Sequence, residues 1–246
     1  MRLIARWVFA LLMTVSLAPA ALAHSLKYLE QKLTDKEQYF QVIDKPSPDF
    51  TLRDADGRIW RLEDFREKVL VLHFIYASCP DICPLHAERI AELQTLINST
   101  PMKDLVRFIT ITTDPVNDTA EVLRDYGPAH GLDPVNWLFL TTTPEQPEDS
   151  TRQIASAFGH RFSKVEGDYQ VHGTVTHIID REGRWRANFH GLDFEPVNLV
   201  MFVNALTNDV HGGREHGSSK PGGLSWWDQL RILFRYDRPT RTGSPE

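Results

Sequence analysis

Cysteine and methionine are scarce in this chain, which has 2 Cys and 4 Met among 246 residues. Two cysteines cannot form a disulfide framework, and alone they cannot complete an all-cysteine zinc or iron–sulfur site. An excess of positive charge is also missing, since 27 Lys and Arg stand against 33 Asp and Glu, for a formal charge of -6. This balance argues against a nucleic-acid partner. The 41% hydrophobic and 24% charged fractions are those of an ordinary folded protein.

The amino terminus has the pattern of an export signal. Arg2 and Arg6 precede an apolar run from Trp7 to Leu17, and the small residues up to Ala23 follow. We expect a signal peptide over 1–23, cleaved after Ala23. The alternative is a retained membrane anchor, because this stretch is close to the shortest that spans a bilayer. Either interpretation predicts an exported, periplasmic protein in an oxidising compartment, in the second case held at the inner membrane.

The rest of the chain divides by composition. A polar lead-in covers 24–43 and a domain covers 44–208; a Gly-rich linker at 209–224 then precedes a short amphipathic helix and tail at 225–246. That helix is rich in Trp, Leu, Ile and Phe, and it also contains arginine. We expect it either to pack on the domain or to lie on a membrane surface.

Within the domain, strand and helix patterns alternate, which predicts an α/β fold. A β-hairpin comes first, and a continuous apolar run at 69–75 is typical of a strand buried on both faces of a mainly parallel sheet. The later predictions are strands at 106–111, 137–140, 174–179 and 184–189, with helices between them at about 117–126 and 148–158, and a last helix at about 195–206.

The two cysteines lie at the predicted junction between strand 69–75 and the next helix, in Cys79-Pro80-Asp81-Ile82-Cys83-Pro84. Free backbone N–H groups and the helix dipole at such a junction stabilise thiolates. The spacing is wider than in haem-attachment and thioredoxin motifs. The motif is therefore compatible with a redox pair and with part of a metal site. A passive disulfide that closes so short a loop would stabilise the folded protein only modestly.

Two thiolates leave a soft metal under-coordinated, so a third ligand is needed, and imidazole is a common one for copper. Among the 10 histidines, His172 stands just before the predicted strand 174–179. In thioredoxin-like folds the segment that enters this strand faces the cysteine loop. His177, inside that strand, is expected to pack, and His160 is expected at the surface.

Several segments together resemble the Sco/SenC family. They are Pro48-Asp49-Phe50 with Asp56-Gly57, the run from Phe74 to Pro84, Ile111 to Pro115 with Asp118-Thr119, and His172 placed eight residues before Asp180. The resemblance covers about 39–208. It implies a thioredoxin-like fold, with a central mixed sheet flanked by helices and an added N-terminal β-hairpin. It also implies a copper ion bound by Cys79, Cys83 and His172.

The function that the resemblance implies is that of a copper metallochaperone for the copper site of respiratory cytochrome c oxidase. Its partners would be the copper-receiving oxidase subunit and an upstream copper donor, with a membrane surface as a further contact. It would also make Cys79 and Cys83 a redox pair, which reduces target cysteines as the dithiol and becomes a disulfide in doing so. The alternative is a metal-free thiol-disulfide oxidoreductase on the same fold. A weaker third interpretation is a binding domain with a structural disulfide. Asp114 and Asp118 are expected to have structural roles beside the next helix.

Overall fold

The computed structural model describes residues 24–165 and 168–208, and the side chains of 24, 25 and 163–172 are outside this description. The expected leader at 1–23, the linker at 209–224 and the segment 225–246 lie outside the described residues. In chain order the helices are α1 His24–Lys36, α2 Ile82–Asn98, α3 Ala120–Ala129, α4 Ser150–Ala157 and α5 Pro196–Asn208. The strands are β1 Phe40–Pro46, β2 Thr51–Arg53, β3 Ile59–Arg61, β4 Val69–Ile75, β5 Val106–Thr112, β6 Trp137–Leu140, β7 Arg161–Val165, β8 Asp168–His172, β9 Val175–Ile179 and β10 Arg184–His190.

A mixed sheet of six strands, in the order β1-β10-β9-β4-β5-β6, forms the centre of the fold. β4, β5 and β6 are parallel, whereas β9, β10 and β1 follow in antiparallel pairs. Every residue of β4 is buried, as its continuous apolar run predicts. The expected mixed α/β sheet and the expected hairpin, β2 with β3, are confirmed.

Two hydrophobic clusters cover the two faces of this sheet. One contains Val71 and Ile75 of β4 and packs against α1, α2, α3 and α5. The other contains Leu70, Leu72 and Phe74 of β4, together with the β2–β3 hairpin and α4. Because side chains alternate along a strand, β4 supplies both cores.

The expected lead-in at 24–43 is folded onto the domain. Leu26 and Leu33 of α1 are buried in the first core cluster. The expected boundary at residue 44 falls inside β1, which is the edge strand of the main sheet. A partly buried ion pair supports the same arrangement, because Arg186 of β10 contacts Glu30 at 2.9 Å.

A hairpin formed by β7 and β8 separates α4 from β9 and was not predicted. His172 is the last residue of β8, so it ends a strand of its own, and β9 starts at Val175. Among the described residues, no helix is both long and apolar enough to cross a membrane.

Candidate functional site

The two cysteines lie on the loop that leaves β4 and on the first turn of the helix that follows it. The N–H of Cys79 donates to the Tyr76 carbonyl at 3.2 Å, which closes a tight turn just after the strand. α2 begins at Ile82, so Cys83 lies in its first turn, as the sequence predicts. Both thiols are free and buried, with exposures of 6% for Cys79 and 5% for Cys83.

The two thiols differ in their tendency to ionise. Burial opposes ionisation of Cys79, but hydrogen bonds from the Cys83 thiol and from the Asp81 and Cys83 backbone outweigh it, so the pKa of Cys79 is lowered. Burial raises the pKa of Cys83, and its hydrogen bond to Cys79 raises it further. Cys79 is therefore the thiol that ionises first, and Cys83 is its hydrogen-bond donor.

A buried carboxylate, Asp118, fixes the loop before the cysteines. The N–H of Ala77 donates to both of its oxygens at 3.2 Å, and the Thr112 hydroxyl donates to one of them. Burial raises the pKa of Asp118, and its charge also raises the pKa of Cys83. The sequence predicts only a structural role beside the next helix. Thr119 caps α3 instead, through Val122 N–H, and Asp118 reaches back to the cysteine loop.

Tyr126 of α3 lies close enough to the thiols to interact with them electrostatically. Burial raises its pKa, and the charges of Cys83 and Cys79 raise it further. Its ring packs against Phe139, with centroids 5.4 Å apart. Its hydroxyl is buried and has no hydrogen-bond partner in the described part of the chain. A buried aromatic side chain beside the thiols limits the access of water to them from this direction.

The backbone of His172 lies at the same end of the sheet as the cysteine loop. β9 is antiparallel to β4 and pairs His177 with Leu72, so its first residue, Val175, lies toward the cysteine end of β4. His172 pairs with Arg161 across the β7–β8 hairpin, and Gly173, with a φ of 93°, turns the chain into β9. The side chain of His172 is outside the described residues, so its role as a ligand remains a prediction.

Four other histidines are buried on the two faces of the sheet. On the α2 face, His73 and His86 have ring centroids 4.7 Å apart, and His86 Nε2 lies 3.0 Å from the Thr176 hydroxyl. On the opposite face, His160 Nε2 lies 2.9 Å from His177 Nε2. The expectation that His160 is a surface residue is wrong, because it is 6% exposed. His177 packs in the core, as expected.

Burial is the main reason why these imidazoles are neutral. It lowers the pKa of His73 to about 3 and that of His160 to about 4. It also lowers the pKa values of His86 and His177 far below the ordinary value. Within each pair the two histidine rings contact each other through ring packing or a hydrogen bond. We therefore assign these four residues a structural role in the buried core.

The donor set at the cysteine end suits a soft metal. Among the described side chains no group of three or more His, Cys, Asp and Glu could hold an ion. The cysteine pair alone offers two sulfur ligands, which favour Cu(I) over hard cations. A third ligand would have to come from a side chain outside that set, and the backbone of His172 lies at the same end of the sheet.

Comparison with known proteins points to one family. The SCO1/SenC family model matches residues 41–207. A "SCO2-like protein" of Rickettsia felis is 28% identical over 185 residues, which is 73% of this chain and 85% of that protein.

Two solved structures have the same fold. One is BsSco, described as a member of the Sco family of cytochrome c oxidase assembly proteins in which a disulfide switch is identified. It has a TM-score of 0.60 and 23% identity, over 68% of this chain and 96% of that one. The other is Bradyrhizobium japonicum ScoI with copper bound, with a TM-score of 0.55 and 24% identity, over 65% and 99% of the two chains.

Proposed function

Because this chain belongs to the SCO1/SenC family, we propose that it is an exported copper chaperone that helps to assemble the copper site of cytochrome c oxidase. It binds one copper ion through Cys79, Cys83 and His172. It receives the ion from an upstream copper donor and passes it to the copper-receiving oxidase subunit. The relative solved with copper and the relative described as an oxidase assembly protein support this proposal.

The observation that carries the proposal is the pair of buried, hydrogen-bonded thiols at the end of β4. Binding of Cu(I) replaces the two thiol protons by metal–sulfur bonds and releases both protons to solvent. Cys79 has the lowered pKa and binds first, whereas Cys83 has the raised pKa and loses its proton when the ion arrives. Burial of both sulfurs protects the cuprous ion from water and oxidants.

The same thiol asymmetry also supports a second function, thiol-disulfide exchange. Cys79, the more acidic thiol, would attack a target disulfide as the thiolate and form a mixed disulfide, which expels one target thiolate. Cys83 would then attack Cys79 and release the second target thiol, leaving an intramolecular disulfide in this protein. The target gains two electrons and two protons, which the cysteine pair loses.

Copper stoichiometry of the fully reduced chain separates the two functions. We expect one tightly bound Cu(I) in the parent, and no tight binding after Cys79→Ser or Cys83→Ser. His172→Ala should weaken binding by well over tenfold, which is about 1.4 kcal/mol or more. The matched control is His190→Ala, because this half-exposed imidazole lies at the same end of the sheet and contacts only Gln41 among the hydrogen bonds described.

Oxidation of the same samples gives a second test. The disulfide form should take up little Cu(I), because its sulfurs cannot become thiolates. Copper retained by a variant without both cysteines would place the site elsewhere. Unchanged binding in His172→Ala, together with efficient turnover of a model disulfide by the parent, would favour the exchange enzyme over the chaperone.

A further inference from the structure

Both ends of the described chain leave the domain on the same side. The Glu37 carboxylate, just after α1, accepts from the Glu195 N–H at 3.0 Å, at the start of α5. Arg181, in the turn after β9, donates to the Thr207 carbonyl at the other end of α5, at 3.3 Å. Glu30 of α1 bonds Arg186 between these two points. α1 and α5 are therefore antiparallel, and His24 lies near the end where α5 stops.

We call the end of the sheet at which α1 begins and α5 stops the exit end. It is opposite the thiols. Ile179, the last residue of β9, pairs with Leu70 near the start of β4, and Arg181 follows directly. β4 then runs through seven residues to the cysteine loop. At about 3.3 Å per residue, the strand alone separates the two ends by about 20 Å.

The sequence beyond each exit has the chemistry of a membrane segment. Before residue 24 stands the apolar run that begins at Trp7, and after the glycine-rich linker stands a segment with Trp226, Trp227, Arg231 and Arg235. Apolar runs enter bilayers, and aromatic and arginine residues together favour the interface. The two segments are separate in the chain, but the fold brings their points of attachment to one side.

A cationic cleft lies at the same exit end. It has a volume of about 150 Å³ and is lined by Lys68, Lys103 and Arg107, with one carboxylate residue, Asp104. Lys68 Nζ donates to the Asp104 backbone carbonyl, and Arg107 donates to the Val135 carbonyl at 2.9 Å. Among the described residues, no carboxylate lies within 4.0 Å of these three cations.

The cysteine loop itself carries no such cations. From Tyr76 to Glu88 the chain contains Asp81 and Glu88 but no lysine or arginine, and the neighbouring loop adds Asp114. An anionic surface would therefore be attracted to the three cations of the exit end and repelled by the carboxylates of the cysteine loop. Each cation held near an anionic bilayer strengthens binding by about fivefold.

We propose that the exit end of the sheet, centred on Lys68, Lys103 and Arg107, rests on an anionic lipid bilayer, and that the thiols consequently face away from it. The surface is separate from the copper site, so the proposal holds whichever thiol chemistry the protein performs. It places the thiols at least about 20 Å above the lipid, where a partner must reach them.

Hydrogen exchange on the full chain in vesicles tests this orientation. The chain is reconstituted with phosphatidylcholine alone and with phosphatidylcholine mixed with anionic phosphatidylglycerol. Amide exchange at 66–68 and 102–104 should slow several-fold only in the anionic vesicles, and high salt should reverse the effect. Exchange at 76–82, around Cys79, should not change.

Charge reversal gives the matched comparison. The double variant Lys68→Glu with Lys103→Glu should abolish the slowing of exchange caused by anionic lipid. The control is Arg58→Glu with Arg124→Glu, which makes the same charge change beside the β2–β3 turn and should retain the slowing. Exchange without lipid checks that each variant is folded, and the salt response of the parent tests the proposal without any variant. Equal exchange in both vesicle types, or slowing at the cysteine loop, would overturn the proposal.

Discussion

Replacing Asp118 by Ala should loosen the cysteine loop and destabilise the protein. Its carboxylate is 3% exposed and accepts from the Ala77 N–H and the Thr112 hydroxyl. The alanine variant leaves both donors buried without an acceptor. A buried donor that loses its partner costs about 1–3 kcal/mol, so we expect a loss of roughly 3 kcal/mol in the free energy of unfolding.

Asp118→Asn should be much milder than Asp118→Ala. The amide oxygen can still accept from Ala77 or Thr112, and the substitution removes a buried charge whose ionisation is unfavourable, as the raised pKa of Asp118 indicates. It should also lower the pKa of Cys83, because the negative charge that raises it is gone. Asp114→Ala is the control, since this partly exposed carboxylate accepts from the side chain of Asn117.

Two measurements on the reduced chain check this reasoning. Urea unfolding gives the free energies, and thiol alkylation against pH gives the apparent pKa values of the pair. The mechanism would be refuted if Asp118→Ala lost no more stability than Asp114→Ala. It would also be refuted if Asp118→Asn were as damaging as Asp118→Ala, since an acceptor would then not be what the loop requires.

Three further changes test the core. The pKa values of His73 and His160 in the folded protein lie below the usual 6.5, so the unfolded chain binds protons first as the pH falls. Urea unfolding should therefore show that the free energy of unfolding decreases below about pH 6.5, by up to about 1.4 kcal/mol per histidine and pH unit. A free energy of unfolding that does not change with pH would contradict this. Gly127→Ala would place a methyl group 2.2 Å from the Trp137 ring, and thermal unfolding should show a loss of about 2 kcal/mol. The loss in Ala120→Gly, which tests only helix propensity at the start of α3, should not exceed about 1 kcal/mol. Arg186→Met should cost about 3 kcal/mol in urea, because it leaves the buried Asp180 carboxylate and the partly buried Glu30 carboxylate unpaired. An unchanged midpoint would argue against the docking of α1.

The sequence predicts the central strands well because their physical signal is local. β4 and β6 coincide with the predicted ranges 69–75 and 137–140, since continuous apolar runs of strand length mark burial on both faces. β1 has no such signal. Of its seven residues only Phe40 is buried, because an edge strand of this kind is defined by its pairing with β10 and not by its own pattern.

The β7–β8 hairpin shows the same limit closer to the site. Its sequence, from Arg161 to His172, mixes charged and apolar residues without a clear period, so pairing between the two strands defines it. The prediction for His172 depended on the end of the sheet to which its segment belongs, and that is set by the antiparallel pairing of β9 with β4. The end of the sheet at which His172 lies was therefore predictable, although the β7–β8 hairpin was not.

The difference between the two thiols arises from packing that the cysteine motif does not encode. In the sequence, Cys79 and Cys83 are equivalent members of one spacing. In the fold, backbone groups at the start of α2 favour the Cys79 thiolate, while burial and the charge of Asp118 hold the proton on Cys83. A cation that replaces this proton removes the penalty of burying a second negative charge, because the ion compensates both thiolates. The empty site therefore favours ionisation of Cys79 over that of Cys83, and a soft cation bound between the two sulfurs would favour ionisation of both.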